Sequence, residues 1–467
     1  MSVICKPSDF AGYLFNGPST DFSKGPLCVC PNGRFLCQSY GTPFFYLADT
    51  AWELLHRLTL PEIDRYFENR RQKGFNVIHT VLLSEFDGLR KPNAYEQLPL
   101  LEENPEKPNP DYFDFVEKAA LLAAGKGLYM GLLPTWGDKV DLWRWGIGPV
   151  VFNERNAGVY GAYLGRRLGH LENIVWILGG DRYPCPNEAI WRAMADGIRG
   201  GESKPHLMSF HPIGERSSSS WLHNEPWLSF NMLQSGHAAK SWDNYSMLAC
   251  DYALSPPKPC MDGEPRYESG WVGFEEANGR FTAWDVRQAA YWAVFAGAFG
   301  HTYGCQEIWQ FHSPDRPLIR NPAAYWTDAA DFEGAWDMLL LRRLMESRPF
   351  LTRIPDQNAI MAGHASNDSH AQATRGSDGS YLMIYLPTGR TIIPNLSVLS
   401  GNAARAWWFN PRSGDSEETG VIEGKGYHEF SPPGGEQPER DWVLVLDDAA
   451  KGYPAPGTAM SISMRIS

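Results

Sequence analysis

The chain reads as a (β/α)8 barrel followed by a β-sandwich. Three observations predict this. Eight short apolar runs alternate with helical patterns over roughly 300 residues, the rhythm of parallel strands joined by crossover helices. The first run continues as LADTAW rather than into a Gly-rich phosphate loop, which disfavours the open doubly wound alternative. After Pro349 the helical periodicity stops, and short strand-like runs separated by turn signals take over.

Residues 26–47 come first and read as short strands, with Asn32-Gly33 as a hairpin turn. The strand candidates then follow in order: FFYLAD ending at Asp49, FNVIHTVLL (75–83), LYMGLLP (128–134), NIVWILGG (173–180), HLMSF (206–210), WLSFNM (227–232), PCMDGE (259–264) and GHTYGC (300–305). Helical patterns separate most of them. The first starts at Thr59-Leu-Pro-Glu62, with Thr as N-cap and Pro in the first turn. Others fall at 112–124, 154–168, 187–199, 241–253, 284–298 and 332–346. Beyond them NAIMAG, SYLMIYLP, RTIIPNLS, ARAWWFNP, GYHEF and DWVLVLD read as sandwich strands. The expected division is 1–350 for the barrel with its N-terminal hairpin and 351–467 for the sandwich, with the boundary near Arg348–Asp356.

The 467 residues carry a net charge of -12 and no Lys/Arg-rich run, which disfavours nucleic acid as a partner. No apolar stretch reaches membrane-spanning length. The N-terminus, MSVICKPSDFAGYLFNG, lacks the basic-then-apolar pattern of a signal peptide. The expected location is cytoplasmic as the sequence stands, or secreted or periplasmic if a leader has been removed. The eight cysteines include no CxxC pair and are expected to be free, mostly buried thiols. No HExxH motif occurs, so no metal is expected, and no cofactor is implied. Aromatic residues are abundant, with 18 Trp, 20 Tyr and 23 Phe. Much of this is core, and the surplus suits flat rings covering the C–H faces of sugars.

In a barrel, active sites lie at the C-terminal strand ends. The candidate ends carry Asp49 and Trp52; Ser84, Glu85 and Asp87; Trp136 and Asp138; Asp181; His211; Asn231, Gln234 and His237; Glu264; and Gln306, Glu307 and Trp309. An acidic, amide-rich and aromatic rim suits a polyhydroxylated substrate. Asp181 and Glu264 close the fourth and seventh strands, and glycoside hydrolysis needs two carboxyl groups flanking one bond. Locally, each has a plainer reading. Asp181 after Gly-Gly also fits a turn or cap, and Glu264 competes with Asp262 and Glu268. Asp49 also fits a helix cap. His211 and His237 fit satisfied hydrogen-bond partners, Trp136 and Trp309 fit core, and Glu85 and Asp87 fit solvated loop charges.

Taken together, FFYLADTAWELL, GFNVIHTVLL, GLYMGLLPTWGDKV, IVWILGGDRYP, FNMLQSGH, MDGEPRYES and HTYGCQEIW resemble the apiosidase-like hydrolases, glycoside hydrolase family 140, over about residues 30–350. The C-terminal part resembles the small β-sandwich that follows these barrels and is labelled a collagen-binding domain. The resemblance implies a retaining barrel enzyme with its acid/base and nucleophile after strands four and seven. Carried over by position, Asp181 is the acid/base and Glu264 the nucleophile. Asp49, Trp52, Trp136, His211, Asn231, His237 and Trp309 map as pocket residues. The implied substrate is terminal β-linked apiose of plant glycosides or pectin side chains. A barrel glycosidase for an arabinofuranoside, galactoside or β-glucan, and a non-catalytic carbohydrate-binding protein, stay open beside it. Oligomeric state is not readable.

Overall fold

A computed structural model describes residues 2–460. The barrel strands are β1 (Tyr46–Thr50), β2 (Val77–Val81), β3 (Tyr129–Leu133), β4 (Ile174–Gly179), β5 (Met208–His211), β6 (Asn231–Gln234), β7 (Cys260–Asp262) and β8 (Gly300–Tyr303). Six of them form one parallel sheet in the order β8-β1-β2-β3-β4-β5, and β6 pairs in parallel with β7. Single backbone bonds close the ring. Ser229 N donates to Met208 O at 2.7 Å, and Phe299 N to Cys260 O at 3.1 Å. Every residue of these strands is buried, as expected when helices cover the outside and side chains fill the inside. The filling is close: a Cβ on Gly131 of β3 would sit 2.5 Å from the His79 ring of β2.

The barrel helices are α1 (Leu60–Gln72), α2 (Pro110–Gly125), α3 (Glu154–Leu168), α4 (Glu188–Gly201), α5 (Asn244–Tyr252), α6 (Ala283–Phe295) and α7 (Glu333–Glu346). Their starts follow the local sequence. Glu62 reaches back to the Thr59 N–H at 2.8 Å in a capping box, and Asp285 does the same for Thr282 at 2.7 Å. The link from β5 to β6 holds the two-residue strand Arg216–Ser217, antiparallel to β6, and the short helix Ser219–Leu222.

Beyond the barrel lies an antiparallel sheet of β9 (Arg353–Pro355), β10 (Gln372–Gly376), β11 (Tyr381–Leu386), β12 (Ala403–Phe409), β13 (Ser416–Glu423) and β14 (Trp442–Asp448), ordered β9-β10-β11-β14-β12-β13. Its opposing layer is slight: the two-stranded ladder Ile360–Ala362 with Ile393–Pro394, plus loops. The period of two along each strand divides the side chains between two cores. Leu382, Ile384 and Leu386 pack under the small layer with Leu444, Leu446 and Trp408. Tyr381, Met383 and Tyr385 join the barrel's core with Val443, Val445 and Phe409. One expected strand is replaced by another segment. GYHEF makes only isolated bridges, at Tyr427 and Phe430. The charged run at 416–423 instead forms β13, whose outward residues are exposed, as befits an edge strand.

α6 is buried on almost all sides, because it lies between the barrel and this sheet. A buried ion network fastens the contact. Arg287 of α6 grips Asp441 through Nε (2.7 Å) and Nη2 (2.9 Å) and reaches Asp337 of α7 at 2.6 Å. Asp441 also accepts from Arg412 at 2.9 Å and from the Tyr385 hydroxyl at 2.9 Å. Asp441→Ala removes the bidentate carboxylate from buried Arg287, which is left with Asp337 alone, and the side-chain acceptor from half-buried Arg412. It is expected to cost about 3–5 kcal/mol, read as a lower urea midpoint. A change under 1 kcal/mol would show the network to be dispensable.

All eight cysteines are free, with Cys30, Cys37, Cys260 and Cys305 buried. Among the described residues, no helix is long and apolar enough to cross a membrane.

Candidate active site

A cavity of about 840 Å³ opens at the C-terminal strand ends. Asp181 and Glu264 both line it. Asp181 follows β4 and sits in the left-handed region, with φ +54°. That conformation is uncommon for a residue with a side chain, though Asp tolerates it better than most, and it recurs at functional sites. The preceding glycines have specific steric causes. A Cβ on Gly179 (φ +95°) would lie 2.3 Å from the His211 carbonyl oxygen, and one on Gly180 (φ +105°) 2.9 Å from the Trp136 ring. The neighbours that demand glycine are therefore β5 and an indole.

Glu264 follows β7 and is held by two imidazoles. His237 Nε2 donates to its Oε1 at 3.0 Å. His211 Nε2 lies 2.9 Å from its Oε2, at an angle that leaves neither atom a well-directed hydrogen bond. The Asp181 backbone N–H faces His211 Nδ1 at 3.5 Å, which leaves Nε2 to carry the proton toward Glu264. An oxygen of Asp181, a nitrogen of His211 and an oxygen of Glu264 all fall within 4.8 Å of one another.

The two carboxyls are driven apart in acidity. Burial alone would raise Glu264, but the close His211 contact, the His237 hydrogen bond and the charge of both imidazoles hold it down to about 2. Asp181 is pushed up to about 6, first by burial and then by the Glu264 charge, against weaker help from His211, Gln234 and Arg182. One Asp181 oxygen is buried without a partner. Near pH 5 the site therefore holds an ionised Glu264 beside a protonated Asp181.

Aromatic rings make the walls. Trp52 and Trp136 meet at 5.2 Å between centroids and both border His211. Trp52 Nε1 donates to the Tyr267 hydroxyl at 3.0 Å. Trp309 packs on Phe86 at 5.6 Å. Toward the mouth, Trp143 meets Tyr183 at 5.3 Å, and Tyr183 meets Trp221 at 5.4 Å. Buried Arg182 fixes this shelf by donating to the Asp141 carbonyl at 2.6 Å and to the Trp145 carbonyl.

Of the nine catalytic and pocket residues carried over by the resemblance, Trp52, Trp136, Asp181, His237, Glu264 and Trp309 line the cavity. Three do not. His211 is fully buried behind Glu264 and acts on the site through it. Asp49 points into the barrel wall, where Arg70 Nε and the Tyr66 hydroxyl of α1 both donate to it at 2.5 Å. Asn231 turns toward His223, 3.0 Å away, outside the cavity. Gln234 and Glu85, named among the strand-end polar residues though not carried over as pocket residues, also line the cavity, as do Tyr267 and the Trp143–Trp145 shelf, which sequence reasoning passed over. Gln234 was visible as a strand-end amide. The shelf left only the signal of a Trp-rich loop.

Two carboxyls of opposed acidity at the ends of β4 and β7, in an aromatic cleft, match what glycoside hydrolysis requires. A solved structure titled glycoside hydrolase is 34% identical, with 92% of this chain and 98% of that one covered and a TM-score of 0.86. A structure titled as a glycoside hydrolase family 5 protein from Bacteroides vulgatus is 32% identical, covering 96% and 99%, with a TM-score of 0.88. Residues 30–352 match the family described as "Apiosidase-like, catalytic domain", and the chain belongs to that family. Residues 354–447 match a family described as a collagen-binding domain of a collagenase. A β-L-arabinopyranosidase from Geobacillus stearothermophilus, 11% identical over 86% of this chain and 96% of that one, shares the fold at a TM-score of 0.51. A search of curated proteins gave no match.

Proposed function

We propose that this protein is a retaining β-apiosidase of glycoside hydrolase family 140, releasing terminal apiose from plant glycosides or pectic side chains. The observation that carries the reaction is the close, oppositely protonated pair. Glu264, ionised, attacks the anomeric carbon. Asp181, protonated, gives its proton to the departing oxygen, and a glycosyl-enzyme forms. Asp181, now ionised, takes a proton from water as that water attacks, which frees the sugar with its configuration retained. Retention needs carboxyls about 5–5.5 Å apart, and inversion about 6.5–9.5 Å. Oxygens within 4.8 Å of each other support the first.

The sugar rests on the family. Free apiose should appear from apiin or an aryl β-apioside, and NMR of the first product should show the β-anomer. Turnover of aryl arabinofuranosides or galactosides in its place would move the assignment to another plant sugar.

The spacing of Asp181, His211 and Glu264 would also suit a divalent cation. A hydrolase working by the carboxyl pair should keep its full rate after dialysis against a chelator. A loss restored by added metal would point to a cation held by these three.

A further inference from the structure

A third carboxyl, Glu85, lines the same cavity from the loop after β2. Among the described residues, nothing hydrogen-bonds its carboxyl, whereas its backbone is firmly tied. Its carbonyl accepts from the Asp87 N–H at 2.8 Å and from Lys139 Nζ at 3.3 Å. Lys139 is fully buried, donates also to the Ser84 carbonyl at 2.8 Å, and is neutralised by Asp138 at 2.8 Å. The turn is tight as well: a Cβ on Gly88 would meet Ser84 Oγ at 2.7 Å. A fixed backbone with a free carboxyl aimed into a sugar-sized cavity is a binding group awaiting its partner.

We infer that Glu85 is a substrate-binding residue that donates a hydrogen bond to a sugar hydroxyl beside the bond held by Asp181. The inference rests on the reading of the cleft as a glycosidase site. Burial, and then the charges of Asp181, Asp138 and Glu53, push the Glu85 acidity to about 8 against the pull of Arg182. At neutral pH it is thus a neutral acid with a proton to give. Ionisation would turn that donor into an acceptor close to Asp181.

The test is KM against pH on an aryl glycoside, for wild type, Glu85→Ala and Glu85→Gln. Glu85→Ala should raise KM roughly tenfold at pH 6 with kcat changed far less, as for one lost hydrogen bond. Glu85→Gln keeps a donor, so it should lose less than Glu85→Ala. Its KM should no longer climb above pH 8 as that of the wild type does. A Glu85→Ala KM within twofold of wild type, or identical losses in Ala and Gln, would overturn the inference. If the wild type turns over no glycoside, the glycosidase reading itself falls. Glu85 is then judged by thermal shift with free pentoses: a sugar that raises the Tm of wild type and Glu85→Ala alike, or of neither, overturns it.

Discussion

Glu264→Gln is expected to lower kcat by about 10⁴-fold or more while leaving the fold intact. The amide cannot attack the anomeric carbon, and no second carboxyl stands where it could. Asp181 is on the other side of the bond by assignment, and Glu85 feels the charge of Asp181. The fold should survive, because Gln keeps the volume and an acceptor for the His237 hydrogen bond at 3.0 Å. A 2-fluoro glycoside should label the wild type on the peptide containing Glu264 and leave the variant unlabelled. A variant retaining a tenth of wild-type kcat, or a label on another residue, would remove Glu264 from the nucleophile role.

Asp181→Asn should lower kcat/KM by about 10²–10⁴-fold on natural glycosides, the usual worth of general acid–base assistance. The loss should depend on the leaving group. With dinitrophenolate, which departs without a proton, the first step should be nearly unaffected, and the glycosyl-enzyme should accumulate because the second step lacks its base. The pH profile gives an independent check. Activity needs Glu264 ionised, a condition lost as pH falls through about 2. It also needs Asp181 protonated, a condition lost as pH rises through about 6. The wild-type kcat/KM should therefore be level in mild acid and fall above pH 6, about tenfold per unit. In Asp181→Asn that alkaline limb should vanish. A wild-type optimum at pH 8 would contradict the assignment.

The barrel was legible because its signals are local: apolar runs, capping residues and turn dipeptides, each written within a few positions. The site was less so, because its selection is made by partners far along the chain. Asp49 and Asp181 look alike in sequence, each ending an apolar run. Asp49 is claimed by Arg70, which α1 swings beneath β1. Asp181 has no such cation bound to it: burial and the charge of Glu264 outweigh the weaker pull of His211, Gln234 and Arg182. His211 and His237 both read as rim imidazoles, yet one stands behind Glu264 and the other lines the cavity. The Gly179-Gly180 pair carried the sharpest local signal, and its reading changed. In sequence it fits a turn; in the fold the contacts that require glycine are with the His211 carbonyl and the Trp136 indole. Glu85 was least legible, since nothing nearby in sequence announces that Lys139 will draw its loop inward.

The two-faced C-terminal sheet carries a consequence for how the chain is made. Tyr381, Met383 and Tyr385 complete a core that also holds Trp292 of α6 and Trp336 of α7. On the ribosome, the outer wall of α6 must wait, its apolar side bare, until β11 and β14 have left the exit tunnel. The last strands synthesised are thus the ones that close the enzyme's back. Nascent chains halted before β14 should be sticky, chaperone-bound species rather than finished barrels awaiting an accessory module.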